Sequence, residues 1–173
     1  GFSEVVFCSG KTDEHLTGIF ERLLDEYGEV LGTRATVHQY ELVKGLFPTV
    51  RYDASARVLV IEKDNKIKRG HIVVCTAGTA DIPVAEEAAQ TAEFFGTYVE
   101  RIYDIGVSGL HRLLAHLDTI QSANCVVAVA GMEGALASVL GGLVQKPVIA
   151  VPTSVGYGAS FGGVSALLTM LNS

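Results

Sequence analysis

The stretch HIVVCTAGTADIPVAEEAAQTAEFFG (residues 71–96) reads as one complete strand-to-helix unit. An apolar run ends at a glycine, small hydroxyl residues follow, and Asp81 stands two residues before Pro83 where a helix pattern begins. Proline suits the first turn of a helix, and aspartate before it suits an N-cap. The same arrangement also suits a loop that binds something small and anionic at a helix start.

Three further units repeat the plan. YVERIYDIG precedes GLHRLLAHLDTI, CVVAVAG precedes GALASVLGGLV, and PVIAVPT precedes GGVSALLTMLN. Near-continuous apolar strands alternating with helices predict a parallel sheet covered on both faces. The expected fold class is therefore α/β, with a doubly wound, Rossmann- or flavodoxin-like sheet. The units lack mutual identity, which excludes a solenoid.

Upstream, residues 4–62 read as a small α/β unit. EVVFC is a strand, and KTDEHLTGIFERLLDEYG is a helix with Leu16, Ile19, Phe20, Leu23 and Leu24 on one face and Gly28 as its stop. EVLGTRA, VHQYELVKGLF and ARVLVIE follow as strand, helix and strand. The charged, glycine-ended KDNKIKRG separates the two parts, so the expected domains are residues 1–66 and 67–173. The chain begins without Met and stops on a helix pattern, so further residues are expected at either end.

The chain has 173 residues, of which 49% are hydrophobic and 18% charged, a globular composition. Its net charge is −6 and its 13 Lys and Arg are scattered, which argues against a nucleic-acid partner. The apolar runs have strand length, far short of a membrane span. Three cysteines with no CxxC fit a reduced, cytoplasmic setting. Cys75 and Cys125 read as small core residues; Cys8, before SGKT, stands near a turn.

In an open parallel sheet, ligands bind beyond the carboxyl ends of the strands. The four loops there are TAGTADIP, YDIGVSGLHR, AGMEGA and PTSVGYGASFGG. The last is longer than an ordinary connection and mixes glycines with Ser154, Tyr157, Ser160 and Phe161. SGKT lacks the upstream glycine of a Walker loop, and no GxGxxG occupies the place a dinucleotide fold requires. Asp81, Glu133 and the His111–Arg112 pair all fall on this edge, an acid, a base and a cation together. Each has an ordinary reading: a cap for Asp81, a first-turn acid for Glu133, a solvated His111. Gly131 and Gly134 beside Glu133 are expected to leave room for a substrate. No HxH, HExxH or CxxC cluster exists, and no residue is assigned to a metal.

TAGTADIPVAEEAA, ERIYDIGVSGLHRLL, VVAVAGMEGALASVLGGLV and PVIAVPTSVGYGASFGG together resemble the LarB family, the carboxylase/hydrolases of nickel-pincer nucleotide biosynthesis. Behind it stands the broader PurE-like, aminoimidazole ribonucleotide carboxylase fold. The match is dense over residues 71–173 and reaches the first part through FSEVVFCSGKT and TRAT.

The resemblance implies an enzyme that carboxylates the pyridinium ring of nicotinic acid adenine dinucleotide with CO2 or bicarbonate. It also implies cleavage of the phosphoanhydride to give AMP and a pyridinium biscarboxylate mononucleotide, the precursor of the lactate racemase cofactor. It carries catalytic roles onto Asp81 and His111, and the chemistry makes Glu133 the candidate to remove the ring proton. Substrate binding falls on Thr79, Asp104, Gly106, Arg112, Gly131, Met132, Thr153, Ser154, Gly156, Gly158 and Ser160. A thiolate suits addition to a pyridinium ring, because it adds readily and leaves again. The family pattern puts that cysteine immediately after Ser173. The family implies no tightly bound cofactor beyond a divalent cation such as Mg accompanying the phosphates. NAD or AMP are expected as further ligands. A homo-oligomer, an octamer by analogy, is expected to form through Ala135, Ala137, Gly141 and Gly142. The rival readings are a purine-pathway carboxylase or mutase and a non-catalytic nucleotide sensor.

Overall fold

The computed structural model describes residues 2–173, which form two four-stranded sheets. The first contains β1 (Val5–Phe7), β2 (Val30–Thr33), β3 (Arg51–Asp53) and β4 (Val58–Ile61), with helices α1 (Asp13–Tyr27) and α2 (Val37–Leu46). Its order is β1-β2-β4-β3; β1 and β2 are parallel, and the other pairs are antiparallel. Thr12 and Thr36 cap the two helices, their hydroxyls accepting from His15 and Gln39 N–H. Gly28 ends α1 as expected, with φ 67 and its N–H on the Leu24 carbonyl. Leu16, Phe20 and Leu23 bury the inner face of α1 against Val6, Val30 and Leu59.

Strand β3 was not expected. Three residues with charged ends carry no alternation long enough to read. It exists because Asp53 Oδ1 accepts from the Ser55 and Ala56 N–H groups, which turns the chain into an antiparallel pairing with β4.

The second sheet holds β5 (His71–Thr76), β6 (Tyr98–Ile102), β7 (Cys125–Ala130) and β8 (Val148–Pro152), all parallel, in the order β6-β5-β7-β8. The expected doubly wound layer is present. Helix α3 (Ile82–Phe94) covers one face, laying Ala85 and Ala89 on Val74, Val127 and Val129. α4 (Leu110–Ala115), α5 (Leu117–Ser122) and α6 (Ala135–Leu143) cover the other through Leu113, Ile120, Leu136 and Leu140. α7 (Val164–Leu171) packs beside α6 and β8, with Met170 against the same core. The single helix expected over residues 109–120 is broken at His116, whose N–H bonds back three residues to Leu113.

Helix α3 also covers the first sheet. Phe94, 1% exposed, packs on Leu31, Val58 and Val60, while Arg34 pairs with Glu87 at 3.0 Å and Gln90 donates to Asp53 at 2.8 Å. The layers therefore run helices, sheet, α3, sheet, helices. Among the described residues, no helix is long and apolar enough to cross a membrane.

The face between the first sheet and α3 is acid-sensitive. The Ala56 N–H, with Gln90, Ser55 and Arg101, holds Asp53 below its ordinary value despite burial. Burial pushes Glu86 up, but Tyr103, Arg101 and Gln90 outweigh it, and its carboxyl also ends below the usual value. Carboxyls lowered in this way stabilise the fold above their unfolded values, 3.8 and 4.5. That contribution disappears as pH falls through the lower folded values. Urea unfolding should show stability constant above about pH 5 and falling below pH 4. Glu86→Gln, which cannot titrate, should fall less steeply over that range.

Candidate functional site

The order of the second sheet creates the site. After β5 the chain moves to one side to form β6, then crosses to the other side of β5 to form β7. Loops leaving β5 and β7 therefore diverge, and a crevice opens at their carboxyl ends. It has a volume of about 260 Å³ and is lined by residues 77–81, Asp104, 106–108, Arg112, Met132, Glu133, Gly156 and Tyr157.

Close backbone contacts knit its rim. Gly106 donates its N–H to the Ala77 carbonyl at 2.9 Å, and a Cβ there would lie 2.6 Å from that oxygen. The Thr76 hydroxyl accepts from Asp104 N–H at 3.0 Å and helps hold Asp104 at φ 58, a conformation side chains rarely adopt. Across the crevice, a Cβ on Gly131 would collide with Thr153 Oγ1, and one on Gly156 with the Gly131 backbone. That absence lets the Thr153 hydroxyl reach Asp81 Oδ1 at 2.7 Å, while the Gly78 N–H donates to Oδ2 at 3.2 Å.

Asp81 is thus a buried strut, 5% exposed, joining the β5 and β8 loops. It does not cap α3 with its side chain, as the turn-chemistry reading had it. It sits in a short 3-10 turn (Thr79–Asp81) that aims the carboxylate back toward Gly78.

Glu133 lines the crevice, half-buried, with no protein hydrogen-bond or ion-pair partner among the described residues. The expectation that its flanking glycines leave room for a substrate is corrected. The space beside Gly131 is filled by Thr153 and Gly156, and a Cβ on Gly134, at φ 76, would lie 2.8 Å from the Ala166 carbonyl. These glycines let α7 and the β8 loop close on the β7 loop. Arg112 donates from Nε to the Asp104 carbonyl at 2.7 Å and stands 3.7 Å from the Asp104 carboxylate, leaving guanidinium N–H groups toward the crevice.

Other sequence candidates fall elsewhere. His111 is exposed on α4 outside the lining, and Ser154 and Gly158 are exposed on the β8 loop. Thr153 and Ser160 are buried and bond to protein groups, Ser160 to the Gly156 carbonyl at 2.9 Å. The lining adds Gly78, Ser108 and Tyr157, which the sequence reading did not assign; Ser108 lies one residue outside the GLHR helix start.

Helices α3 to α7 have no side-chain cap, whereas α1 and α2, on the first sheet, both do. Backbone carbonyls take several of the uncapped helices' first N–H groups: Ile82 bonds to Thr79, Val164 to Phe161 and Ser165 to Ser160. Burial raises the Cys8 thiol to about 11, the Cys75 thiol to about 12 and Cys125 above its usual value. None is poised as a thiolate. Among the described residues, no group of three His, Cys, Asp or Glu could hold a metal ion.

The two kinds of glycine separate in stability. Gly131→Ala must displace Thr153 from Asp81 and should cost about 2–3 kcal/mol or more. Gly142→Ala, in the last turn of α6 with nothing within 4 Å, should stabilise by about 0.5–1 kcal/mol. Denaturant unfolding of both variants measures the contrast.

Residues 1–64 match the LarB/PurE-like N-terminal domain, and residues 71–173 match the AIR carboxylase family. An uncharacterised protein of Methanocaldococcus jannaschii is 38% identical over 187 aligned residues, covering 100% of this chain and 70% of that protein. The N5-carboxyaminoimidazole ribonucleotide mutase of the same organism is 32% identical over 101 residues, 57% of this chain and 59% of the mutase. With an AIR carboxylase domain behind a LarB-type first domain, the chain belongs to the LarB/PurE-like carboxylase family.

Proposed function

We propose that this chain carboxylates the pyridinium ring of nicotinic acid adenine dinucleotide and cleaves the dinucleotide to release AMP. The observation that supports this most is an unpaired carboxylate, Glu133, in a crevice edged by uncapped helix starts and Arg112. Phosphate suits the helix dipoles and the guanidinium. A base without a protein partner suits removal of a ring proton.

The chemistry needs a nucleophile first. A thiolate adds to the electrophilic ring, the resulting electron-rich ring carbon attacks CO2, a base removes the proton at that carbon, and the thiolate leaves as aromaticity returns. The resemblance places the thiol just after Ser173, so the assay requires a protein that extends past that residue. The crevice volume is near the lower end of ligand pockets, room for the nicotinate ring and the nearest phosphate with the AMP half outside. A divalent cation such as Mg enters with the phosphates.

A second reading follows from the mutase similarity, a carboxylase or mutase of aminoimidazole ribonucleotide. Against it stand the LarB-type first domain and Glu133 itself, where the purine pattern has a small residue. Release of AMP and a carboxylated mononucleotide from the dinucleotide and bicarbonate supports the first reading. Turnover of the imidazole nucleotide instead supports the second, and binding without either reaction supports a sensor.

We further propose a homo-oligomer in a cytoplasmic setting. Val164, Leu167, Leu168 and Leu171 form an exposed apolar stripe on α7 at helical spacing, beside exposed Ile149 on the edge strand β8. Light scattering should give a mass well above one chain at micromolar concentration; a monomer would overturn this.

Glu133→Gln gives the sharpest test of the chemistry. As the base, its loss should cut carboxylation by roughly 10²-fold or more while dinucleotide affinity is kept. Near-normal turnover removes Glu133 from the mechanism.

A further inference from the structure

Glu86 stands just over one helical turn past Asp81 on α3. Its Oε1 accepts from the Tyr103 hydroxyl at 2.6 Å and from Arg101 Nε at 2.9 Å, and its Oε2 from Gln90 at 3.3 Å. Arg101 continues to both oxygens of Glu93, at 2.7 and 2.8 Å. Burial and Glu86 together raise the Tyr103 hydroxyl pKa, so it remains a donor at neutral pH.

These bonds join two particular elements. Helix α3 begins at the Thr79–Asp81 turn, one wall of the crevice. Tyr103 directly precedes Asp104, which opens the other wall with its left-handed backbone. One carboxylate thus ties the end of β6 to the flank of α3, directly behind the site. Hydrogen bonds to an ionised acceptor are directional and stronger than neutral ones, so they set spacing where apolar packing alone would allow sliding.

The first sheet holds the other side of the same carboxylate. Gln90, which donates to Glu86, also donates to Asp53 at the end of β3, and Arg34 holds Glu87 in the next position. A concavity of about 500 Å³ lies between that sheet and the network. Of its charged lining residues, Arg51, Glu62, Glu86, Glu93 and Arg101 are ion-paired within the chain, and Asp53 accepts from neutral N–H donors. Every one of these groups already has a protein partner, and together they work as a joint.

We infer that Glu86, acting through Tyr103, is a positioning residue that sets the distance between the two walls of the crevice. Among the described residues, the first domain places none in the crevice lining, and it acts on the crevice by bracing Glu86 through Gln90 and Asp53. The inference rests on the reading of the crevice as the carboxylation site.

Tyr103→Phe removes one hydroxyl and leaves the ring, and it is compared with the unmodified protein, both extending past Ser173. In hydrogen exchange, amides of residues 77–81 and 104–108 should exchange roughly tenfold faster, while those of β7 keep their protection. With the dinucleotide and bicarbonate, kcat should fall about tenfold and KM should change by less than about threefold. Gln90→Met should shift both in the same direction by less, and Arg51→Ala, which breaks only the rim pair with Glu62, should shift neither. Unchanged exchange in Tyr103→Phe, or a rise that includes β7, overturns the inference. Faster exchange in an active enzyme with unchanged kcat overturns it as well. If the unmodified protein converts no dinucleotide, the proposed reaction fails, and the exchange comparison alone decides the clamp.

Discussion

The hydrogen bond from Thr153 to Asp81 holds the crevice together. It spans 72 residues of sequence and joins loops from β5 and β8, strands that β7 keeps apart. Such a bond has to pass over the β7 loop, and only the bare Cα of Gly131 lets it through. Once buried, the Asp81 carboxylate needs donors on both oxygens, which Thr153 and Gly78 supply. Rim shape, the path of the β8 loop and the tilt of the α3 start all follow from satisfying that one group. Gly156, packed on Gly131, carries the same constraint one step further into the loop.

The helix ends divide between the two sheets. α1 and α2 close their N-termini with threonines, as a scaffold should. The helices on the second sheet carry no side-chain cap. There the preceding turns supply backbone acceptors instead, as Thr79 does for Ile82 and Phe161 for Val164. The crevice therefore owes its character as much to missing side chains as to present ones.

Much of this could be read from the sequence. Apolar strands of five or six residues ending in glycine announce a parallel sheet, because both faces must be covered. Asp81, Glu133 and Arg112 were recognisable from their places at strand ends. Their partners were not. Thr153 gives no local sign that its hydroxyl belongs to Asp81, and a glycine does not reveal whether its empty side is filled by substrate or by backbone. His111 and Arg112 share a motif, yet adjacent residues on a helix point about 100° apart, so one faces the crevice and the other faces solvent. Ser154 and Thr153 divide similarly: one is exposed on the loop and the other buried beneath it. Strand β3 was too short to show a period.

Helix α3, packed on a sheet at each flank, has a consequence for how such a protein changes over generations. Its Ala85 and Ala89 answer to one sheet, and its Phe94, Glu87 and Gln90 answer to the other. A substitution on either flank must be tolerated by both halves of the chain at once, because a shift of the helix axis is felt on the opposite side. Recombination that exchanged the first sheet for an unrelated one would strand Phe94 and the carboxylates around it. In this chain each half is therefore a constraint on the other, exerted through a single shared helix.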